Sequence, residues 1–176
     1  MKKILRRILK SIAVECRDEF DRNFDRQAFF SHSWQRRKSP INARYKTLHG
    51  RQATLRRSLR ARVENGAVVF SSDLPYAAIH NEGGEIPVTA RMKRYFWARY
   101  KEAIGGMGRK KNGELRQTKK NRRLSTEADF WKAMALMKVG QRIRIPRRQF
   151  LGWSPEIGKA VEEIISEELD RWDYMK

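Results

Sequence analysis

The 176-residue chain has one cysteine, three histidines and no long apolar run, and each shortage argues against a class of protein. A single thiol, at Cys16, cannot form an internal disulfide, and this fits a reducing compartment. No stretch of 18 or more apolar residues is present, so no membrane-spanning helix and no membrane partner is expected. Arg6, Arg7 and Lys10 interrupt the apolar residues near the start, so a cleaved signal peptide is not expected either.

The scarce histidines also bear on metal and cofactor chemistry. His32, His49 and His80 lie far apart in the sequence, and no pair has the spacing of a zinc site. Ser71 lies outside any Gly-x-Ser-x-Gly element, and the glycines at 105–108 are not followed by Gly-Lys-Ser or Gly-Lys-Thr in register. We therefore predict no metal site and no cofactor.

Catalysis would have to depend on a single histidine. His80, with Glu82 or Glu85, could act as a base and an acid, and Arg91 could stabilise an anion. Nucleases usually need clustered carboxylates for a metal, or paired histidines, and neither is present here. The prediction is therefore no catalytic residue and no enzymatic activity, with a metal-dependent nuclease as a disfavoured alternative.

Positive charge is abundant and unevenly distributed. The chain has 40 Lys and Arg against 20 Asp and Glu, a net charge of +20, which favours polyanions or acidic protein surfaces as partners. From Ser154 to Lys176 there are seven acids and three bases, so this segment is −4 and the first 153 residues are +24. The acidic end of one subunit could meet the basic body of the next and favour a head-to-tail ring. The alternative is a solvated acidic helix.

The segment 105–124 is the most strongly biased part of the chain, with four glycines, eight bases and one acid. Because few apolar residues are available for burial, we expect a flexible basic insertion, followed by a helix at about 126–138. Its candidate polyanion contacts are Arg109, Lys110, Lys111, Lys119, Lys120, Arg122 and Arg123. Non-specific contact with DNA phosphates and ordering against an acidic neighbour both stay open.

The remaining sequence predicts an α+β fold. Apolar residues at three- and four-residue steps predict a long N-terminal helix over about Lys3 to Ala28. Asn65-Gly66 follows an alternating segment and precedes the apolar residues 67–70, and it predicts a hairpin of antiparallel strands within one sheet from Arg56 to Val88. A strand at Gln141 to Ile145 is expected to complete this sheet, and a C-terminal helix packs on it.

Between these elements, residues 30–54 show no steady period and predict a loop. Trp34 within it favours an aromatic anchor holding the loop to the body, with stacking on a nucleic-acid base as the alternative. Residues 91–104 predict a further helix. Ser154-Pro155-Glu156 marks the start of the last helix, since it combines a hydroxyl cap, proline at the first position and an early acid.

Two motifs stand out. The first is a Tyr-Ala-x-x-His-x-x-Gly-Gly element at residues 76–84, and the second is the Ile-Pro-Arg-Arg-Gln-Phe-Leu-Gly element at residues 145–152. In this order, and flanking these predicted elements, they resemble the signature of the phage virion morphogenesis family, the Mu-like tail-completion and neck proteins. The resemblance covers about residues 3–104 and 140–172. It implies one domain over 1–176, with 105–138 an insertion.

The resemblance also implies a function and a set of structural or assembly residues. Those are Tyr76, Ala77, His80, Gly83, Gly84, Pro146, Arg147, Phe150, Leu151 and Gly152. Tyr76, Ala77 and Ile79 are expected to pack on the sheet, and the His80 ring to tie the turn to backbone groups.

The function implied is non-enzymatic assembly of a tailed phage or prophage particle, completing the tail or joining it to the head. The partners implied are further copies of the chain in a ring and other tail or neck proteins. The place implied is the bacterial host cytoplasm during assembly, with retention in the virion left open. A non-specific nucleic-acid-binding protein is the alternative function.

Overall fold

The computed structural model describes residues 2–41 and 44–174 and has the predicted mixed α+β fold, with long helices at both ends. Its helices are α1 (Lys2–Arg26), α2 (Thr54–Arg57), α3 (Ala77–Glu82), α4 (Ala90–Gly105), α5 (Lys119–Leu136) and α6 (Pro155–Asp173). Its strands are β1 (Ala28–Phe29), β2 (His32–Ser33), β3 (Arg60–Glu64), β4 (Ala67–Ser71), β5 (Gly84–Pro87) and β6 (Arg142–Ile145).

The chain divides into two compact units. The terminal unit comprises Met1–Arg36, Tyr45–Gly83 and Pro146–Lys176. The central unit comprises Arg37–Arg44 and Gly84–Ile145, and so includes the predicted insertion.

The core of the terminal unit is built on α1. Its apolar residues recur at four-residue steps, so Cys16, Phe20 and Phe24 lie on one buried face. The ring of Phe24 lies 5.5 Å from the rings of both Trp34 and Phe150. Full burial of one such side chain stabilises the fold by about 1.5–3 kcal/mol. This aromatic cluster therefore fixes α1 against the loops that follow it.

The C-terminal helix packs along α1. Glu168 is buried there, forms an ion pair with Arg7 at 2.6 Å and accepts a hydrogen bond from the Ser11 hydroxyl at 3.0 Å. Breaking a buried pair by removing one partner leaves an uncompensated charge, so these bonds hold α6 in register on α1.

The predicted hairpin of β3 and β4 is present. Asn65 and Gly66 have φ angles of 50° and 79°, which two-residue hairpin turns need, and Glu64 pairs with Ala67. The first strand of this hairpin, β3, begins at Arg60 rather than at Arg56 as predicted, because residues 54–57 form a helical turn that buries Leu55.

The core of the central unit lies between α4 and α5. The rings of Phe96 and Trp131 stack at 5.8 Å, and Ala135 is buried beside them. The Thr89 hydroxyl caps α4 by accepting from the Met92 backbone N–H at 3.1 Å. Strands β5 and β6 pair antiparallel in the same unit, from Gly84 with Ile145 to Pro87 with Arg142.

Three details of the predicted architecture are corrected. Among the described residues the strands form separate two-stranded sheets, β1–β2, β3–β4 and β5–β6, so β6 completes a sheet with β5 alone. The expected loop after α1 contains the short β1–β2 hairpin. Helix α5 begins at Lys119 rather than near 126, because the Thr118 hydroxyl accepts from the Asn121 N–H at 3.1 Å and caps the helix there.

Candidate functional site

The two sequence motifs meet in the terminal unit. The Arg148 N–H donates to the carbonyl oxygen of His80 at 2.8 Å. The side-chain oxygen of Asn81 accepts from the backbone N–H groups of Phe150 and Leu151, at 2.9 and 3.0 Å. These three bonds join α3 to the segment that leads into α6, and we call the joined pair, residues 76–83 and 146–152, the corner.

Glycine is required at Gly83 by a close approach of backbone. Its φ is 77°, and a Cβ there would lie 2.8 Å from the backbone nitrogen of Arg147. Real Cβ atoms do not approach backbone nitrogen so closely, so any other residue would separate the two motifs. Gly152 has a φ of 137° and lies against the side chain of Gln149, while Gly84, with φ 147°, begins β5 in the central unit.

The corner is anchored from within the core. Phe150 is only 1% exposed and packs on Phe24, while Ala77 is buried in the same cluster. The Trp34 indole N–H donates to the carbonyl oxygen of Gln149 at 2.7 Å. Trp34 thus anchors its loop, as predicted, and its ring is buried rather than available to stack on a base.

Arg147 is the arginine expected in the second motif, and its neighbour Arg148 is the one that the fold buries. The Arg147 side chain is exposed, whereas Arg148 is 8% exposed and its guanidinium donates to the carbonyl oxygen of Gln35 at 2.9 Å. Arg147 contributes its backbone, against which Gly83 lies, and its guanidinium donates to the side-chain oxygen of Gln149. Pro146 directly follows the end of β6.

The His80 ring does not tie the turn as expected. Its Nδ1 has no hydrogen-bond partner among the described residues, and the tie runs through its backbone carbonyl instead. Burial, and to a lesser degree the charge of Arg148, lowers the pKa of His80 below its ordinary value, which favours the neutral ring. Tyr76 is 40% exposed rather than packed on a sheet, and its ring lies edge-on to that of His80 at 6.1 Å.

An open groove of about 600 Å³ borders the corner, and its apolar lining includes Phe70, Ala78 and Leu151. Trp153 lies at its edge and is 77% exposed. Its neighbours are fixed, since Ser154 is buried and its hydroxyl caps α6 by accepting from the Ile157 N–H at 3.2 Å. A large aromatic side chain is therefore exposed to solvent between the corner and the capped start of α6.

Sequence reasoning missed Asn81, Arg148 and Trp153. Asn81 occupies a variable position of the first motif, and only its contacts show that it joins the two. Arg148 could have been found by counting residues from Pro146. Trp153 lies between Gly152 and the cap residue Ser154, and nothing in the sequence marks it as exposed.

The predicted polyanion contacts lie in the central unit. All seven side chains are exposed, on a turn and on the first residues of α5. Within residues 2–41 and 44–174, no group of three or more His, Cys, Asp or Glu could hold a metal ion. In the same ranges no helix has both the length and the apolar character needed to cross a membrane.

The corner is held by packing, by the backbone bond from Arg148 to His80 and by the two bonds to the Asn81 side chain. The chain matches the phage virion morphogenesis family over residues 2–170. It belongs to that family, and its role lies in the structure or assembly of a phage particle. Comparisons with curated proteins and with solved structures find no match.

Proposed function

We propose that the chain is a non-enzymatic component that completes the phage tail or joins it to the head. It acts as a homo-oligomeric ring, in the bacterial host cytoplasm, during assembly of the particle. Its partners are further copies of itself and other tail or neck proteins. Family membership supports the general assembly role, and the corner with its exposed tryptophan supports a subunit contact at this place.

Trp153 is the observation that carries the proposal. An exposed tryptophan beside an apolar groove is costly in a protein that stays alone in water, and tryptophan is enriched at the centres of protein interfaces. Because the buried cap at Ser154 fixes the segment that follows, Trp153 would lose little conformational freedom on binding.

The distribution of charge supports a head-to-tail arrangement. Glu162, Glu163 and Glu167 are exposed on α6, within a C-terminal segment that is −4. The rest of the chain is strongly positive, so contact between unlike surfaces of successive copies is favoured over contact between like ones. Heterologous contact of this kind closes into rings when the rotation between copies allows it.

The subunit contact is tested by Trp153→Ala. We expect the variant to weaken self-association by about 2 kcal/mol or more, since truncated tryptophans at interface centres cost this much. The measurement is molar mass by light scattering over a range of protein concentrations, with circular dichroism to show that the fold is kept. Val14→Ala is the control, because Val14 is 60% exposed on α1 in the same unit and lies outside both the corner and the acidic C-terminal segment. Equal losses in both variants, or a wild-type protein that stays monomeric at all concentrations, would contradict the contact.

The role in the particle needs a separate experiment. Deleting the gene from the phage or prophage that encodes it should leave heads and tails that accumulate unjoined, or tails of incomplete structure, by electron microscopy. Wild-type protein supplied in trans should restore joined particles and Trp153→Ala should not. Normal particles from the deletion would refute the proposed function.

A further inference from the structure

The two compact units differ greatly in charge. The central unit has twenty Lys and Arg against five Asp and Glu, a net +15 in 70 residues. The terminal unit has twenty against fifteen, a net +5 in 106 residues. Three quarters of the excess positive charge therefore belongs to the smaller unit. Charge so segregated indicates a surface for a polyanion rather than a general aid to solubility.

Within the central unit the cations are concentrated on a folded turn, residues 108–123, which we call the basic turn. Arg109 and Leu115 form an antiparallel bridge, and the Lys110 N–H donates to the carbonyl oxygen of Glu114 at 2.8 Å. The exposed cations are therefore carried on a hydrogen-bonded scaffold.

Asn121 holds this scaffold to α5. It is 6% exposed, and its amide donates to the carbonyl oxygens of Gly108 and Arg116, both at 2.7 Å. Its side-chain oxygen accepts from the Gly108 N–H at 2.9 Å. One buried side chain thus fixes both ends of the loop, so that the cations of the turn and of α5 form one surface.

The fold does not need these cations. Lys119, Lys120 and Arg122 have no ion-pair partner among the residues that the structure describes, and they lie in the first turn of α5. Positive charge at the start of a helix opposes the helix dipole, and crowded like charges repel. These side chains cost stability in the free protein, and an anionic partner would offset that cost.

We propose that the basic turn is a sequence-independent binding surface for the phosphate backbone of duplex DNA. Protein–DNA interfaces are polar and strongly positive, whereas protein–protein interfaces have an apolar core. The basic turn offers only Leu115 as an exposed large apolar side chain, which favours DNA over an acidic protein. DNA contact by this surface goes beyond the assembly role proposed above and does not depend on it.

The test is fluorescence anisotropy of a labelled duplex with the full chain, measured across a series of salt concentrations. If the turn contacts about five phosphates, log K should fall with log salt with a slope of about −4 to −5. The variant K119Q/K120Q/R122Q keeps helix-forming residues and removes three cations, so the slope should become shallower by about 2.7 and the affinity fall at least tenfold at low salt.

The matched control is R94Q/K101Q/K132Q, which removes the same charge from exposed positions of α4 and α5 in the same unit. It should change the slope by about 1 or less. Equal effects of the two variants would overturn the proposal, because net charge rather than the turn would then govern binding. Absence of salt-dependent binding by the wild type would overturn it as well. If K119Q/K120Q/R122Q lost self-association while its DNA binding stayed unchanged, the proposal would also be overturned, because the basic turn would then bind an acidic face of another copy.

Discussion

The hydrogen bonds of Asn81 make the corner open to a direct measurement. Its side-chain oxygen accepts from the backbone N–H groups of Phe150 and Leu151 at 2.9 and 3.0 Å, so Asn81→Ala removes the amide group that carries this acceptor and leaves two donors without a partner. Phe150 is fully buried and Leu151 is half-buried. An unsatisfied buried donor costs about 1–3 kcal/mol, and the second donor is nearer water, so we expect a total loss of about 2–4 kcal/mol.

Urea denaturation followed by far-UV circular dichroism measures this loss as a lower midpoint with an unchanged slope. Asn81→Asp keeps an oxygen acceptor in the same place and should lose about 1 kcal/mol or less. Glu82→Ala changes the exposed next residue of α3 and should lose about 0.5 kcal/mol or less. A loss of less than about 0.5 kcal/mol in Asn81→Ala, or an aspartate variant that loses as much as the alanine variant, would show that these two bonds do not stabilise the corner.

Three further outcomes follow from the same structure. Gly83→Ala should destabilise the fold by about 1–3 kcal/mol more than Gly66→Ala. Both positions have positive φ, but only at Gly83 would a Cβ meet backbone, at 2.8 Å, and equal urea midpoints of the two variants would contradict this close approach. Burial, reinforced by neighbouring glutamates, raises the pKa of the Cys16 thiol. Native protein should therefore react with a thiol reagent at about pH 8 at least 100-fold more slowly than unfolded protein, and comparable rates would show that Cys16 is exposed. Hydrogen bonding from Arg56 lowers the pKa of Asp25, so this pair stabilises the fold above the unfolded pKa of about 4 and the stabilisation is lost as the pH falls. Arg56→Gln should therefore flatten the dependence of the urea midpoint on pH in that acid range, and an unchanged dependence would count against the pair.

The local elements could be predicted where sequence periodicity and turn chemistry agree. The N-terminal helix was predicted within two residues of its ends, because its apolar face repeats over six turns. Asn65-Gly66 specified a hairpin because few other residues adopt its φ angles. Helix α5 was misplaced at its start, since Thr118, Ser125 and Thr126 are all able to cap a helix and the choice depends on whether Asn121 can reach the preceding loop.

The sequence by itself determined the family, through two short motifs in order, and the excess of positive charge. Only the tertiary structure decided how those motifs are used. The pairing of β5 with β6, the buried role of Arg148 and the bonds from Asn81 all join residues more than 50 positions apart. Local propensity carries no information on such pairings, because they depend on which surfaces the folded chain brings within hydrogen-bond distance. Trp153 likewise reads as one more aromatic residue in the sequence, and only the fold leaves it in solvent beside an open groove.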